Sequence, residues 1–283
     1  MNFFLIIYLI ADDTAMIFRN TGSMAKSFYF LVLYLYLLLK YYLVVEFLKI
    51  NIKQQRLFGK EIYFDNLIQL FVGYREEYIW QQYDFKSKTE SPVIFDCGAE
   101  IGMSSLYFKS VYPDAKITCF EPSPQAFKNL KKNLRGFRNI KLVNKALVGN
   151  NIKHIDLYNS QKEFTHTHNS SIYPDRWEKN DLKKIRVETT KLSSFIKSHL
   201  DLLKIDVEGA EDEIFDDLDK NHKLKYVDKI IFEYHRCKKG SLNKIVRILT
   251  KNGFDFVLGN GVRSPYYLYE NKLYSILIEA YRD

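Results

Sequence analysis

The sequence predicts an α/β protein, a mostly parallel sheet with helices on both faces, preceded by a hydrophobic N-terminal helical segment. Three observations carry this. Beyond residue 90, short apolar runs alternate with amphipathic stretches, the order that builds a parallel sheet covered by helices. Two of the apolar runs end in carboxylates and a glycine: Val93-Ile94-Phe95-Asp96-Cys97-Gly98, and Leu202-Leu203-Lys204-Ile205-Asp206-Val207-Glu208-Gly209. In open α/β sheets, ligands bind at such C-terminal strand ends. The third observation is a nearly unbroken apolar run close to the N-terminus, unlike anything later in the chain.

The N-terminal region reads first. Residues 1–23 hold a short apolar run, Phe3 to Ile10, and then Asp12-Asp13. Met24-Ala25-Lys26 resembles a translation start, so 1–23 are expected to be upstream sequence or a loosely ordered arm. From Phe28 to Val45 only Lys40 interrupts the apolar residues, and the stretch approaches the roughly 20 residues of a membrane span. Lys40 can snorkel toward a polar surface. Residues 1–53 are therefore a candidate membrane anchor, with association through 28–47. A helix packed on the main domain, or lying in the membrane interface, is the alternative. Lys49, Lys53, Arg56 and Lys60 outnumber Arg19 and Lys26, which places the main domain on the cytoplasmic side.

Residues 54–90 read as an amphipathic helical lead-in, with Ile62, Phe64, Leu67, Leu70, Phe71 and Ile79 as its apolar positions. The main domain spans 91–283. Strands are expected at 93–96, 116–120, 140–145, 201–206 and 228–234, and helices at 103–111, 123–134, 191–199, 210–218 and 241–251. Further strands fit 153–158, 185–190, 254–258 and 273–280.

Of the 283 residues, 47% are hydrophobic, 16% aromatic and 27% charged, a globular composition. The net charge of +8 favours anionic neighbours, but the lysines are scattered and no nucleic-acid partner is expected. Cys97, Cys119 and Cys237 have no metal-ligand spacing and are odd in number, which excludes a disulfide framework and a zinc site. A reducing, cytosolic setting follows.

The turn Asp96-Cys97-Gly98-Ala99-Glu100-Ile101-Gly102 has the form of a mononucleotide-binding unit. Gly98 permits close backbone approach and Gly102 permits helix–strand packing. It lacks the Gly-x-Gly-x-x-Gly spacing of dinucleotide sites, which disfavours a dehydrogenase. An acid directly before the turn suits a cationic cofactor better than a pyrophosphate. Glu121, at the end of the next strand, suits ribose hydroxyls.

These residues resemble the FkbM family of S-adenosylmethionine-dependent methyltransferases. The matching pieces are Phe95 to Gly102, Phe120-Glu121-Pro122, Lys145-Ala146-Leu147, Thr190 with Leu192, Leu203 to Glu211, and Ile231-Phe232-Glu233-Tyr234-His235. The Lys204 to Glu211 string is the specific one, and the resemblance covers about residues 55 to 280. It implies a Rossmann-like class I methyltransferase with a seven-stranded sheet whose last strand is antiparallel. It implies S-adenosylmethionine as cofactor, held by Asp96, Gly98, Ala99, Glu100, Gly102, Glu121, Pro122 and Ala146. The family usually has Asn where Glu100 stands, which leaves that contact different in charge. The activity implied is methyl transfer to a hydroxyl of a glycan, glycolipid or small molecule. The alternative is a membrane-attached, non-catalytic scaffold on the same fold.

On the acceptor side, Asp206, Glu208, Glu211, Glu233 and His235 fall at or just past adjacent strand ends, and Asp206, Glu208, Glu233 and His235 are the candidate catalytic residues. While the chain stays extended, Asp206 shares a face with Glu208 and Glu233 with His235. A neutral His235 would be a general base; a divalent cation with oxygen ligands is the other reading, and no metal ligand is assigned. Asp206 and Glu208 would otherwise cap the following helix. Thr165-His166-Thr167-His168-Asn169 reads as an acceptor-side loop. Lys131, Lys132, Arg135, Arg138 and Lys141 read as a solvated basic face.

Overall fold

The computed structural model describes residues 3–160, 170–174, 182–235, 240–259 and 275–282. The chain divides into two compact units, Met1–Asp84 and Phe85–Asp283.

The first unit opens with α1 (Phe3–Asn20) and α2 (Met24–Lys40), which runs on as a π-helical segment, Tyr41–Phe47. The expectation of a loose arm before Met24 is not met, because α1 is anchored from its middle. Asp13, 1% exposed, accepts hydrogen bonds from Arg75 Nε at 2.7 Å and Trp80 Nε1 at 2.7 Å. A buried carboxylate needs such partners.

The helical reading of 54–90 is corrected over its first ten residues. β1 (Gln54–Leu57) and β2 (Lys60–Tyr63) form an antiparallel hairpin. Its two-residue turn is Phe58-Gly59, with φ of 50° and 78°. Positive φ at both central residues is what a tight hairpin requires, and glycine supplies the second at no steric cost. Helix resumes at α3 (Leu67–Tyr74), where the Asn66 side chain accepts from Gln69 N–H, and continues as a π-turn, Arg75–Ile79.

Within this unit α2 is two-faced. Tyr34 and Leu37 are buried, Tyr34 packs on the Phe71 ring, and Tyr74 OH donates to Phe30 O at 2.8 Å. Phe28, Val32, Leu35, Leu39, Leu43 and Phe47 recur at helical spacing and are exposed, Phe28 by 67% and Phe47 by 79%.

The second unit carries β3 (Val93–Cys97), α4 (Met103–Val111), β4 (Lys116–Phe120), α5 (Pro124–Asn133), β5 (Ile140–Val143), β6 (Ala146–Leu147), β7 (His154–Ser160), β8 (Ser170–Ser171), β9 (Leu182–Thr190), β10 (Leu200–Ile205), α6 (Glu211–Lys220), β11 (Val227–His235), α7 (Leu242–Lys251), β12 (Asp255–Leu258) and β13 (Ser275–Tyr281). The main sheet has seven strands in the order β12-β13-β11-β10-β3-β4-β5. All neighbours are parallel except β13, which runs antiparallel to β11 and β12. This is the sheet that the family resemblance implies. A smaller sheet, β6-β9-β7-β8, is inserted between β5 and β10.

Strand alternation sets the two faces. Phe95, Leu203, Ile205, Ile230 and Phe232 pack with Ile214, Phe215 and Leu218 of α6 and Ile245, Ile248 and Leu249 of α7. Asp96, pointing the other way, bonds to Ser104 and Ser105 of α4. Helices therefore cover both faces.

Two boundaries differ from expectation. The helix expected at 191–199 is only a 3₁₀ turn, Leu192–Ser194. Ser193 gives its N–H and its hydroxyl to Asp217, both at 2.9 Å, and a serine so engaged competes with helix continuation. The strand expected to reach 145 ends at Val143, where Asn144 turns its side-chain amide back onto Glu121 O at 2.7 Å.

Candidate active site

The turn after β3 is built by backbone proximity. Gly98 has φ 83°, and a Cβ there would lie 1.7 Å from Asp206 O. Its glycine is thus demanded by the neighbouring β10 loop, whose Asp206 N–H donates to Cys97 O at 2.9 Å. Gly102, φ 91°, caps α4, and a Cβ there would meet Leu130 of α5 at 2.7 Å. Its role is helix–helix packing, whereas the sequence suggested packing of helix on strand. Ala99 is buried, and its N–H and that of Gly98 both donate to Phe120 O.

Asp96 is fully buried and held within the protein. Its Oδ2 accepts from Ser104 and Ser105 hydroxyls, both at 2.6 Å, and its Oδ1 lies 3.1 Å from Lys204 Nζ. It ties β3 to α4 and β10. Lys204, between the apolar Leu203 and Ile205 of β10, also donates to Gly98 O at 2.7 Å. Sequence reading passed over Lys204, although a lysine amid Leu202, Leu203 and Ile205 is the signal of a buried, paired charge.

Glu121 ends β4. Its Oε2 accepts from Glu100 N–H at 2.9 Å and its Oε1 from Ser123 N–H at 2.7 Å. Glu100, φ 49°, takes the left-handed backbone that delivers this N–H. Burial pushes the Glu121 carboxyl up to about 8, with the two backbone N–H bonds pulling the other way. Pro122 is half-buried and its carbonyl accepts from Asn144 Nδ2. Ala146 sits in β6, in the core of the small sheet with Val148, Leu157, Val187 and Ala210.

The four candidate catalytic residues come together. β10 and β11 are adjacent and parallel, so the residues after Ile205 face the end of β11. His235 Nε2 lies 3.4 Å from Glu208 Oε2, 3.5 Å from Glu233 Oε1 and 4.0 Å from Asp206 Oδ1. The chain is not extended between the two acids: β10 ends at Ile205 and Glu208 has φ 55°. The carboxylates converge because the loop coils. Glu211, the first residue of α6, completes the group; its Oε1 accepts from His235 Nδ1 at 2.9 Å. The sequence already groups it with the acids just past the strand ends, though not as a catalytic candidate.

Charge follows geometry here. Burial works against the His235 cation, yet Glu208 and Glu233, with the Glu211 hydrogen bond, hold the imidazole well above its usual range. That direction favours the protonated ring, whereas a general base at His235 needs the neutral one. Asp206 is the most open member, with a side chain 27% exposed. Burial pushes its carboxyl up to about 7, Lys204 opposing and Glu233 and Glu208 adding. Residues 165–169 lie outside the described residues.

The seven-stranded sheet, with β13 antiparallel, is the one that the resemblance implies for a class I methyltransferase fold. A sequence model of the methyltransferase FkbM domain matches residues 96–256. Methyltransferase sdnD of Sordaria araneosa is 30% identical over 230 residues, covering 68% of this chain and 85% of that protein. Methyltransferase 1 of Beauveria bassiana (strain ARSEF 2860) is 27% identical over 206 residues, covering 64% and 79%. Among solved structures, methyltransferase FkbM from Methylobacillus flagellatus KT aligns at 16% identity and a TM-score of 0.46, covering 68% of this chain and 44% of that one. The chain belongs to the FkbM methyltransferase family and is an S-adenosylmethionine-dependent methyltransferase.

Proposed function

We propose that the protein methylates a hydroxyl oxygen of a small-molecule or glycan acceptor bound over Asp206, Glu208, Glu233 and His235. The observation that carries this reading is the convergence of three carboxylates on His235, one loop away from the Gly98 turn. S-adenosylmethionine, when bound, supplies an electrophilic methyl on a sulfonium that leaves as a thioether. The site fits it: Glu121 is fixed by two backbone N–H donors and keeps lone pairs for ribose hydroxyls, and the acidic mouth favours a cation. Glu100 N–H holds that carboxylate, and Ala99, Pro122 and Ala146 are the further residues assigned to the cofactor. Asp96 and Lys204 hold the turn rigid between α4 and β10. The carboxylates beside His235 accept the proton that the hydroxyl gives up as its oxygen bonds to carbon. His235, holding its own proton, keeps their charges close together. Most of the catalytic effect expected is positioning.

The test is methyl transfer from isotopically labelled S-adenosylmethionine to extracts of glycans, lipids and small metabolites. Label in an alkali-stable ether supports the reading. Label found only on nitrogen or carbon would overturn it.

We also propose that α2 attaches the protein to a membrane. The helix Met24–Phe47 is long and apolar enough to cross one, and few of its residues are buried. Its exposed apolar stripe supports lipid contact, while its packed face supports a helix lying in the interface plane.

A further inference from the structure

We propose a divalent-cation site of the Mg²⁺ or Mn²⁺ kind, formed by Asp206, Glu208 and His235. One ligand atom from each lies within 4.8 Å of the other two. Around an octahedral cation with bonds near 2.1 Å, adjacent ligands sit about 3 Å apart and opposite ones about 4.2 Å apart. His235 Nε2 is 3.4 Å from Glu208 and 4.0 Å from Asp206, so Glu208 fits beside the imidazole after a shift of about 0.4 Å, and Asp206 fits opposite it nearly as placed or beside it after about 1 Å. Two carboxylates and one imidazole suit Mn²⁺ and Mg²⁺ better than softer metals.

A second observation lies on the other side of the ring. Metal-bound histidines almost always give their remaining N–H to a carboxylate, a backbone carbonyl or water, which fixes the tautomer. His235 Nδ1 does this with Glu211, 1% exposed, and a cation at Nε2 would take the place of the proton held there in the metal-free protein. Glu211 also accepts from Gly209 N–H at 3.0 Å, so it cannot swing away without leaving that amide. Its other oxygen, Oε2, is buried with no hydrogen-bond partner among the described residues. An orphaned carboxylate oxygen is costly to bury and marks a site built for more positive charge than a lone imidazole supplies.

The use of the cation rests on the methyl-transfer reading; its binding does not. A cation bound beside the acceptor makes its hydroxyl more acidic. Glu233, 3.5 Å from His235 Nε2, then remains as the carboxylate that takes the proton.

The experiment titrates the full-length protein, stripped with EDTA, with Mn²⁺ alone. Electron paramagnetic resonance follows free Mn²⁺, and calorimetry follows S-adenosylhomocysteine binding in the same samples. Expected is a single saturable Mn²⁺ site displaced by Mg²⁺. Glu208→Gln should weaken it at least about tenfold, and Glu211→Gln about 10–100-fold, as for a lost outer partner. Affinity for S-adenosylhomocysteine should move by less than about threefold in both variants, a shift under ~0.7 kcal/mol. No saturable Mn²⁺ binding up to about 1 mM, the weak end of protein sites for hard cations, overturns the site. So does Mn²⁺ binding that Glu208→Gln leaves unchanged. Loss of S-adenosylhomocysteine binding with Mn²⁺ binding intact would count against the cofactor reading and leave the cation site standing.

Discussion

Glu121 and Gly98 illustrate how much one position can decide. Glu121 is raised to about 8, so in the free protein it carries a proton at neutral pH. Ribose hydroxyls donate best to the ionised form. Binding must then release that proton, and affinity for S-adenosylhomocysteine should tighten as pH rises from 6 toward 8 and level off above. Glu121→Gln should lose about 2 kcal/mol of affinity, roughly 30-fold, and flatten the profile. Calorimetry at several pH values checks both; an equal slope in the variant would reassign the titrating group. Gly98→Ala should cost about 3 kcal/mol or more of stability. It combines ~1–2 kcal/mol of left-handed strain with overpacking of ~1–3 kcal/mol against Asp206 O. Denaturant melts read it directly. Both residues were legible because each states a local requirement, a flexible turn and a strand-end acid. The reason for Gly98 was not legible, since its contact lies more than a hundred residues away. Lys204 and Glu211 stand in the motif string, but their partners, Asp96 and His235, were not legible for the same reason.

At the scale of elements, α4 to α7 and the parallel strands follow from apolar periodicity, because each helix buries one face against the sheet. The β1–β2 hairpin does not. Each strand has four residues, too few to show a period of two, and its turn uses Phe58 at positive φ. The division at Asp84 also follows from packing that a hydropathy change at residue 53 does not reveal: Asp13, Arg75 and Trp80 bind the ends of the first unit together. A chain beginning at Gln54 would lose α1 and α2 and expose Leu67, Leu70 and Tyr74, so it should aggregate, whereas one beginning at Phe85 should fold. The exposed stripe of α2 gives a further expectation. The full-length protein should sediment with membranes, and Val32→Glu with Leu39→Glu should release it while leaving Tyr34 and Leu37 packed. Release of the unaltered protein by carbonate would support an interfacial helix; resistance would support a span.

For the whole molecule, strand order was beyond the residues themselves. Alternation names a parallel sheet, but only the family resemblance supplied the antiparallel seventh strand. The assembled site then imposes a cost on stability. Glu121 and Asp206 are both raised, to about 8 and about 7 from 4.5 and 3.8. A raised carboxyl favours folding fully below its unfolded pKa and loses that contribution as pH climbs through the folded value. The metal-free, unliganded protein should therefore melt lower at pH 9 than at pH 6. Thermal melts at constant ionic strength check this, and a rising melting temperature over that window would contradict it.

The central claim is that the loops after β3, β4 and β10 hold S-adenosylmethionine. Calorimetric titration of the full-length protein with S-adenosylhomocysteine tests it most directly, with NAD as the control ligand and Glu121→Gln as the control variant. The account predicts saturable binding of S-adenosylhomocysteine, none of NAD, and a loss of roughly 30-fold in the variant. Folded protein that ignores S-adenosylhomocysteine, or binds it equally well without the Glu121 carboxylate, would contradict it.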